Sequence, residues 1–289
     1  YWSGKGWSLF ASFSSASGRQ HADKLSIMLF GDNHLWLPNL EAPRSGPELL
    51  AEPGYIDLIR STMSHNTLMV DGMEQTHPKC AMSLVEWSDR LEARKLSIAD
   101  PCGQLYPGIA QMRTLFIHND IVLDVFQAAS TKPHEYAWIL HVDGQSTASS
   151  ISNWAPTQLP KDGPWRWLEN PRAASVSKGI YWETFEYNGQ SFRMDITCGA
   201  PFEIVRCEYP RRLRLSAKQA NPDNNSPAIQ PDESDQSDES DDQDGSEAFV
   251  DENGCIYETV PMILVRVRGQ NAWFGAAYRI SPGKEETSF

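Results

Sequence analysis

Apolar and polar residues alternate with a period of two along most of this chain, in short runs broken by Gly, Asn, Asp and Pro. Alternation of that kind puts one side of an extended strand against a core and the other toward water. "KLSIMLF" and "HLWLP" flank Gly31-Asp32-Asn33 and predict a hairpin. "TLFIH" and "IVLDVF" flank Asn119-Asp120 in the same way. "GIYWETFEY" and "QSFRMDITC" flank Asn188-Gly189, a pair suited to the positive φ angles of a type I′ turn, which makes this the firmest hairpin in the chain. "EYAWILHV" and "FEIVRCEY" add strands, and "MILVRVRG" with "AWFGAAYRI" closes the sequence in the same style. Helical signal is confined to "GPELLAEPGYIDLIRSTM", one or two short turns interrupted by Pro53-Gly54. Strands recurring at short spacing predict an all-β fold, a large antiparallel β-sandwich forming one domain over residues 1–289.

One segment departs from the pattern. Residues from about 220 to 247 are Asn, Asp, Ser, Gln, Pro and Glu with almost no apolar side chains. Such a stretch buries too little surface to offset its ordering entropy, so it reads as a disordered acidic loop inserted between strands. It also accounts for most of the formal charge of −13. Nine acids lie between Asp232 and Glu247; without them 29 acids stand against 25 bases. A calcium site there lacks the glycine and glutamate spacing of a calcium loop. The absence of a basic stripe argues against nucleic acid. No apolar run is long enough to cross a bilayer. Five scattered cysteines with no Cys-x-x-Cys argue against a disulfide framework or a cysteine zinc site and read as buried free thiols. The first residues, "YWSGKGWSLFASF", already read as a strand, with no signal peptide ahead of them. The expectation is a fragment whose upstream part is missing.

Two stretches carry candidate chemistry. His21 and Asp23 stand two apart at the mouth of a strand, where alternation would turn both to one face. His65 and Asn66 precede the strand "TLMV", which ends at Asp71-Gly72. His65 would meet His21 if the two strands are neighbours; Asn66 would satisfy local backbone groups. The ordinary reading of each histidine is a hydrogen-bonded side chain. The other histidines, His34, His77, His118, His134 and His141, read as structural or exposed, and the tryptophans by default as core, with Trp2, Trp7, Trp36 and Trp87 open to stacking on a flat apolar face such as a sugar ring.

In order and wording, "HADKLSIMLFGDNHLWLPNLE" followed by "RSTMSHNTLMVDGMEQ" resembles the C-terminal β domain of heparinase II/III-type polysaccharide lyases, which include alginate and oligoalginate lyases. "RTLFIHNDIVLDVFQAASTKPHEYAWILHVDG" resembles the next block of strands. The likeness covers about Trp7 to Gly144 well and the rest loosely. It implies a two-part enzyme, an N-terminal α/α toroid and this β-sandwich, with an acidic, uronate-containing polysaccharide bound between them and cleaved by β-elimination. Most catalytic groups of such enzymes come from the toroid, so this chain alone is expected to be inactive. The resemblance further implies a structural zinc held by His21, Asn39 and His65. Asn39 stands where the family has an aspartate, and an amide brings no charge to offset the ion; Glu41 is the substitute ligand. Arg19 replaces a family histidine and would pair with a uronate carboxylate or a sulfate, while Tyr55 would contact sugar or act as an acid. The periplasm, cell envelope or exterior is the implied location. Two alternatives stand beside this reading: a non-catalytic carbohydrate-binding module, and a degenerate lyase homologue that has lost its metal.

Overall fold

The computed structural model describes residues 2–4, 7–13, 21–39, 55–76, 81–90, 93–118, 121–214, 249–250 and 256–281. Arg19, Glu41 and the acidic segment from about 220 to 247 lie outside the described residues. The described part is nearly all β, as the alternation predicts. Two antiparallel sheets carry it. The smaller orders Trp2–Gly4, Trp7–Ala11, Ile27–Gly31 and His34–Leu37 in sequence order. The larger runs Gln145–Ser149, Tyr181–Tyr187, Gln190–Cys198, Ile256–Ser281, Ile121–His141, Ile109–His118, Ala93–Asp100 and Ser83–Arg90. Phe202–Arg214 adds to Ile256–Ser281, and Leu68–Val70 to Ile121–His141. Among the described residues no helix is long and apolar enough to cross a membrane.

The predicted turns form where backbone chemistry favours them. Asn188 and Gly189 take φ of 47° and 75°, and Asp32 and Asn33 take 49° and 62°. These are the positive angles that join right-twisted strands without splaying them. Two readings need correction. "IVLDVF" and "EYAWILHV" are not separate strands but one continuous strand, Ile121–His141. "MILVRVRG" and "AWFGAAYRI" are likewise not a hairpin; they lie in the single strand Ile256–Ser281, which runs antiparallel to it. A register shift between Gly269 and Asn271 lets this long pair bend without breaking. Local pattern cannot separate a bulge from a turn, because both are marked by Gly, Asn and Gln.

Burial explains the change of pattern along Ile121–His141. Its first half alternates, with Val122, Phe126 and Ala128 turned into the main core. From Tyr136 to His141 every residue is buried. Tyr136, Trp138 and Leu140 enter the main core, while Ala137 and Ile139 enter a second cluster with Met63, Val205, Tyr209 and Leu264. The strand is covered on both faces there. The structured segment of the site, Arg60–Thr67, packs over this doubly covered region. Helix Tyr55–Arg60 and the 3-10 turn Thr62–Ser64 realise the predicted short turns.

The cysteine reading holds for Cys207, a buried free thiol that burial pushes up to about 12. It fails for Cys102, which is free but exposed.

Candidate functional site: a histidine pair on a clamped turn

The strand signal in "KLSIMLF" starts three residues early. Lys24 and Leu25 form a turn, Leu25 at φ 60°, and the strand begins at Ile27. A branched side chain in the left-handed region is costly and persists only where surroundings over-determine it. They do so here. Gln75 brackets Lys24, accepting its N–H on Oε1 at 3.0 Å and donating from Nε2 to its carbonyl at 3.0 Å. The Thr67 hydroxyl donates to the same carbonyl at 2.7 Å, and a guanidinium nitrogen of Arg113 donates to the Leu25 carbonyl at 2.6 Å. The Ala22 N–H donates to the Arg60 carbonyl at 2.9 Å. The clamps come from the "RSTMSHNTLMVDGMEQ" segment and from one arginine two strands away.

Asn66 is the second clamp, and it fixes backbone as its position suggests. Its Nδ2 donates to the carbonyls of Ile27 at 3.0 Å and Pro38 at 2.9 Å; its Oδ1 accepts the His141 N–H at 2.7 Å. Asn66→Ala would leave two carbonyls and one amide buried without partners. The expected loss is about 3 kcal/mol, read as a lower urea midpoint at unchanged m-value; a loss below about 1 kcal/mol would contradict this role.

With the turn held, His21 and His65 meet. Their ring centroids are 5.4 Å apart at 56°. His65 is buried, and among the described residues neither of its ring nitrogens has a hydrogen-bond partner. Burial lowers its pKa to about 4; His21 and Lys24 push the same way, and Asp23 opposes them. Burial tends to raise the Asp23 carboxyl. The charges of His65 and Lys24 and hydrogen bonds from the Ser12 hydroxyl and the Lys24 ammonium outweigh it, holding the group below the usual carboxylate range. Alternation would place His21 and Asp23 on one face of a strand; they lie instead in the bend before the turn, and both approach His65.

The other predicted ligands sit differently. Asn39 is half-buried, and its Oδ1 accepts the Ser26 hydroxyl at 2.9 Å. Tyr55 opens the short helix, and its side chain is outside the described residues. Among the described residues no group of three or more His, Cys, Asp or Glu is disposed to hold a metal ion. His65, its nitrogens unpartnered among the described residues, stands beside the His21 ring, so each imidazole offers one donor nitrogen to a shared ion, while Asn39 Oδ1 is taken up with the Ser26 hydroxyl.

Sequence reasoning missed two residues that shape the site. His141, read as structural or exposed, is buried beside it: Nε2 meets the Met63 carbonyl at 2.8 Å, Nδ1 has no partner, and its ring stands edge-on to Tyr209 at 4.8 Å. Arg113 was not singled out. Its signal was available, since in "IAQMRTLFI" it shares the buried face with Ile109, Leu115 and Ile117. It pairs with Asp124 through Nε at 2.9 Å, both side chains fully buried, and Tyr278 donates to the same carboxylate at 3.0 Å.

An all-β domain of long, bent antiparallel strands, with a histidine pair seated on a clamped turn, is the class these features define. The family described as Heparinase II/III-like, C-terminal, matches residues 9–200, and the chain belongs to that family. No curated protein matches it by sequence. In fold it is similar to a solved heparinase III with methylated lysines, at TM-score 0.57 and 8% identity, over 96% of this chain and 33% of that one. It is also similar to the heparan sulfate lyase HepC of Pedobacter heparinus, at TM-score 0.53 and 11% identity, over 92% of this chain and 31% of that one. At such identities the likeness is one of fold. The chain spans about a third of the length of these solved structures.

Proposed function

We propose that this chain is the β-sandwich part of a polysaccharide lyase that cleaves uronate-containing polysaccharide by β-elimination outside the cytoplasm. The observation that carries the reading is the His21–His65 pair, with both His65 nitrogens buried and unpartnered on a turn held by several independent hydrogen bonds. A fold gains nothing from orphaning a buried imidazole unless something else uses it. β-Elimination needs the uronate carboxylate neutralised, a base for the C5 proton and an acid for the departing O4. In this reading those groups come mainly from a partner α/α domain, and this chain supplies one wall of the cleft. His21 and His65, with Asn39 or Glu41, would hold a zinc ion, which when bound supplies a structural crosslink. The chain's own residues hold the two imidazoles in place and keep water from His65. Arg19 and Tyr55 are proposed as sugar contacts.

The test is to incubate the chain with alginate and with heparan sulfate and follow the ultraviolet absorbance of unsaturated uronate. Retention of the polysaccharide without turnover is expected; turnover by the chain alone would contradict the division of labour. Mass spectrometry should find one zinc per chain, lost in His65→Ala. A chain with no zinc and no affinity would instead be a degenerate homologue.

One observation favours a binding module without catalysis. A groove of about 700 Å³ lies on the large sheet, lined by Trp273, Met112, Gln127 and Asn271, with no charged residue lining it among the described residues. The indole of Trp273 lies over Gly275, where an added Cβ would come within 2.9 Å of the ring. Affinity for neutral glycans that survives His65→Ala would support that reading.

A further inference from the structure

A smaller cleft, of about 360 Å³, abuts the His21 turn. Four separate pieces of chain build it. Asp57 and Arg60 come from the short helix, Glu74 follows the strand Leu68–Val70, and Arg166 and Trp167 come from the 3-10 turn Gly163–Trp167; Ala22 closes the side next to His21.

The rim is well anchored. Trp165 is buried in the second core cluster, with the Arg266 guanidinium 5.8 Å from its ring, so the 3-10 turn is pinned from below. The next two residues, exposed Arg166 and half-buried Trp167, line the cleft, with the guanidinium 5.1 Å from the indole centroid. The Arg60 carbonyl is tied to the Ala22 N–H, which fixes that backbone without using the guanidinium. Glu74 accepts the Thr62 N–H on Oε2, while Oε1 is buried with no hydrogen-bond partner among the described residues. A buried carboxyl oxygen without a donor, in the wall of a polar cleft, lacks only a donor from outside.

These groups match one kind of ligand. An indole offers a flat apolar surface to the C–H face of a sugar ring. Guanidinium forks match a carboxylate or sulfate in a planar, two-point fashion. A carboxyl oxygen accepts from a hydroxyl. Asp57 at the rim offsets part of the positive charge, so geometry rather than net field would select the ligand. The volume is at the low end of ligand pockets, about 300–1,000 Å³, which suits one or two sugar units.

We infer that this cleft is a subsite for an acidic sugar unit, with Trp167 under the ring, Arg60 and Arg166 on its anionic group and Glu74 Oε1 on a hydroxyl. The assignment rests on the polysaccharide reading above, and extends the binding surface past the histidine pair to Arg60 and Glu74 near the two ends of "RSTMSHNTLMVDGMEQ" and to Arg166 and Trp167 outside it.

The test is calorimetric titration of the 289-residue chain with an alginate tetrasaccharide, a heparan sulfate tetrasaccharide and neutral cellotetraose. Arg166→Ala and Arg60→Ala should each weaken the acidic ligands about tenfold, as loss of a charge-assisted contact would. Trp167→Ala should do the same, and Arg166→Lys should recover part of the loss. If only the heparan ligand responds, the anionic group is sulfate; if both respond, it is the carboxylate. Wild type that binds the acidic ligands with affinity unchanged in the Arg166 and Arg60 variants overturns the subsite alone. Wild type that binds neither overturns the polysaccharide reading and the subsite with it. The melting temperature of each variant, read beside its titration, separates loss of a contact from loss of fold, and Arg166→Lys keeps the comparison valid if Trp167→Ala fails to fold.

Discussion

Arg113→Met is expected to lower the unfolding free energy by about 3–5 kcal/mol, the usual cost of leaving one charge of a buried pair without its partner. Asp124 would be that charge, since both side chains are fully buried. The Arg113 guanidinium also donates to the Leu25 and Asn66 carbonyls, so its removal loosens the turn that presents His21 to His65. Replacing both partners, as in Arg113→Met with Asp124→Leu, should recover much of the stability, because no isolated charge remains. It should not restore the turn. Two measurements separate these effects. Urea denaturation gives the stabilities, and hydrogen exchange at the Ala22 and Lys24 amides reports the turn. A double variant as unstable as the single one, or amide protection unchanged in both, would contradict the account.

Acidification should destabilise the metal-free chain well above the ordinary carboxylate range. Burial lowers His65 from 6.5 to about 4 and His141 from 6.5 to about 3. An imidazole with a depressed folded pKa binds its proton more readily when unfolded, so stability is lost as pH falls below 6.5 and until the folded value is reached. At pH 5 each histidine should have cost about 2 kcal/mol, about 4 together. Glu74 works in the opposite direction. Burial raises its carboxyl, so acid relieves part of its penalty and trims the total. Asp23, held low, begins to cost only below its unfolded value of 3.8. Urea titrations at about pH 7.5 and pH 5 would measure the loss, and His141→Gln, which keeps a donor for the Met63 carbonyl, should roughly halve it. A flat profile over that window would mean that the two imidazoles are not buried neutral.

Much of the fold was legible because it is written in local pattern. Period-two burial runs through Ile109–His118 with one break at Thr114, and Asn188-Gly189 names its own turn. What local pattern could not show was continuity: Gly269 to Asn271 reads as a turn and is a bulge within one strand. The site was legible in part. His65 and His21 were singled out from sequence, and the structure brings them together. Asp23 joins them through a bend that period-two reasoning cannot represent. Lys24 and Gln75 were opaque because their work is backbone bracketing across 51 residues. His141 was hidden by distance too, 75 residues beyond Asn66, whose side chain receives its N–H. Such partners are set by sheet register, which no short window contains.

This β domain is proposed to form one wall of a cleft for acidic polysaccharide. The most direct measurement is calorimetric titration of the chain with alginate and heparan sulfate against neutral dextran, at low and high salt. The account predicts saturable binding of an acidic polymer that weakens as salt rises, with no heat from dextran. No binding of either acidic polymer, or dextran bound equally well, would contradict it.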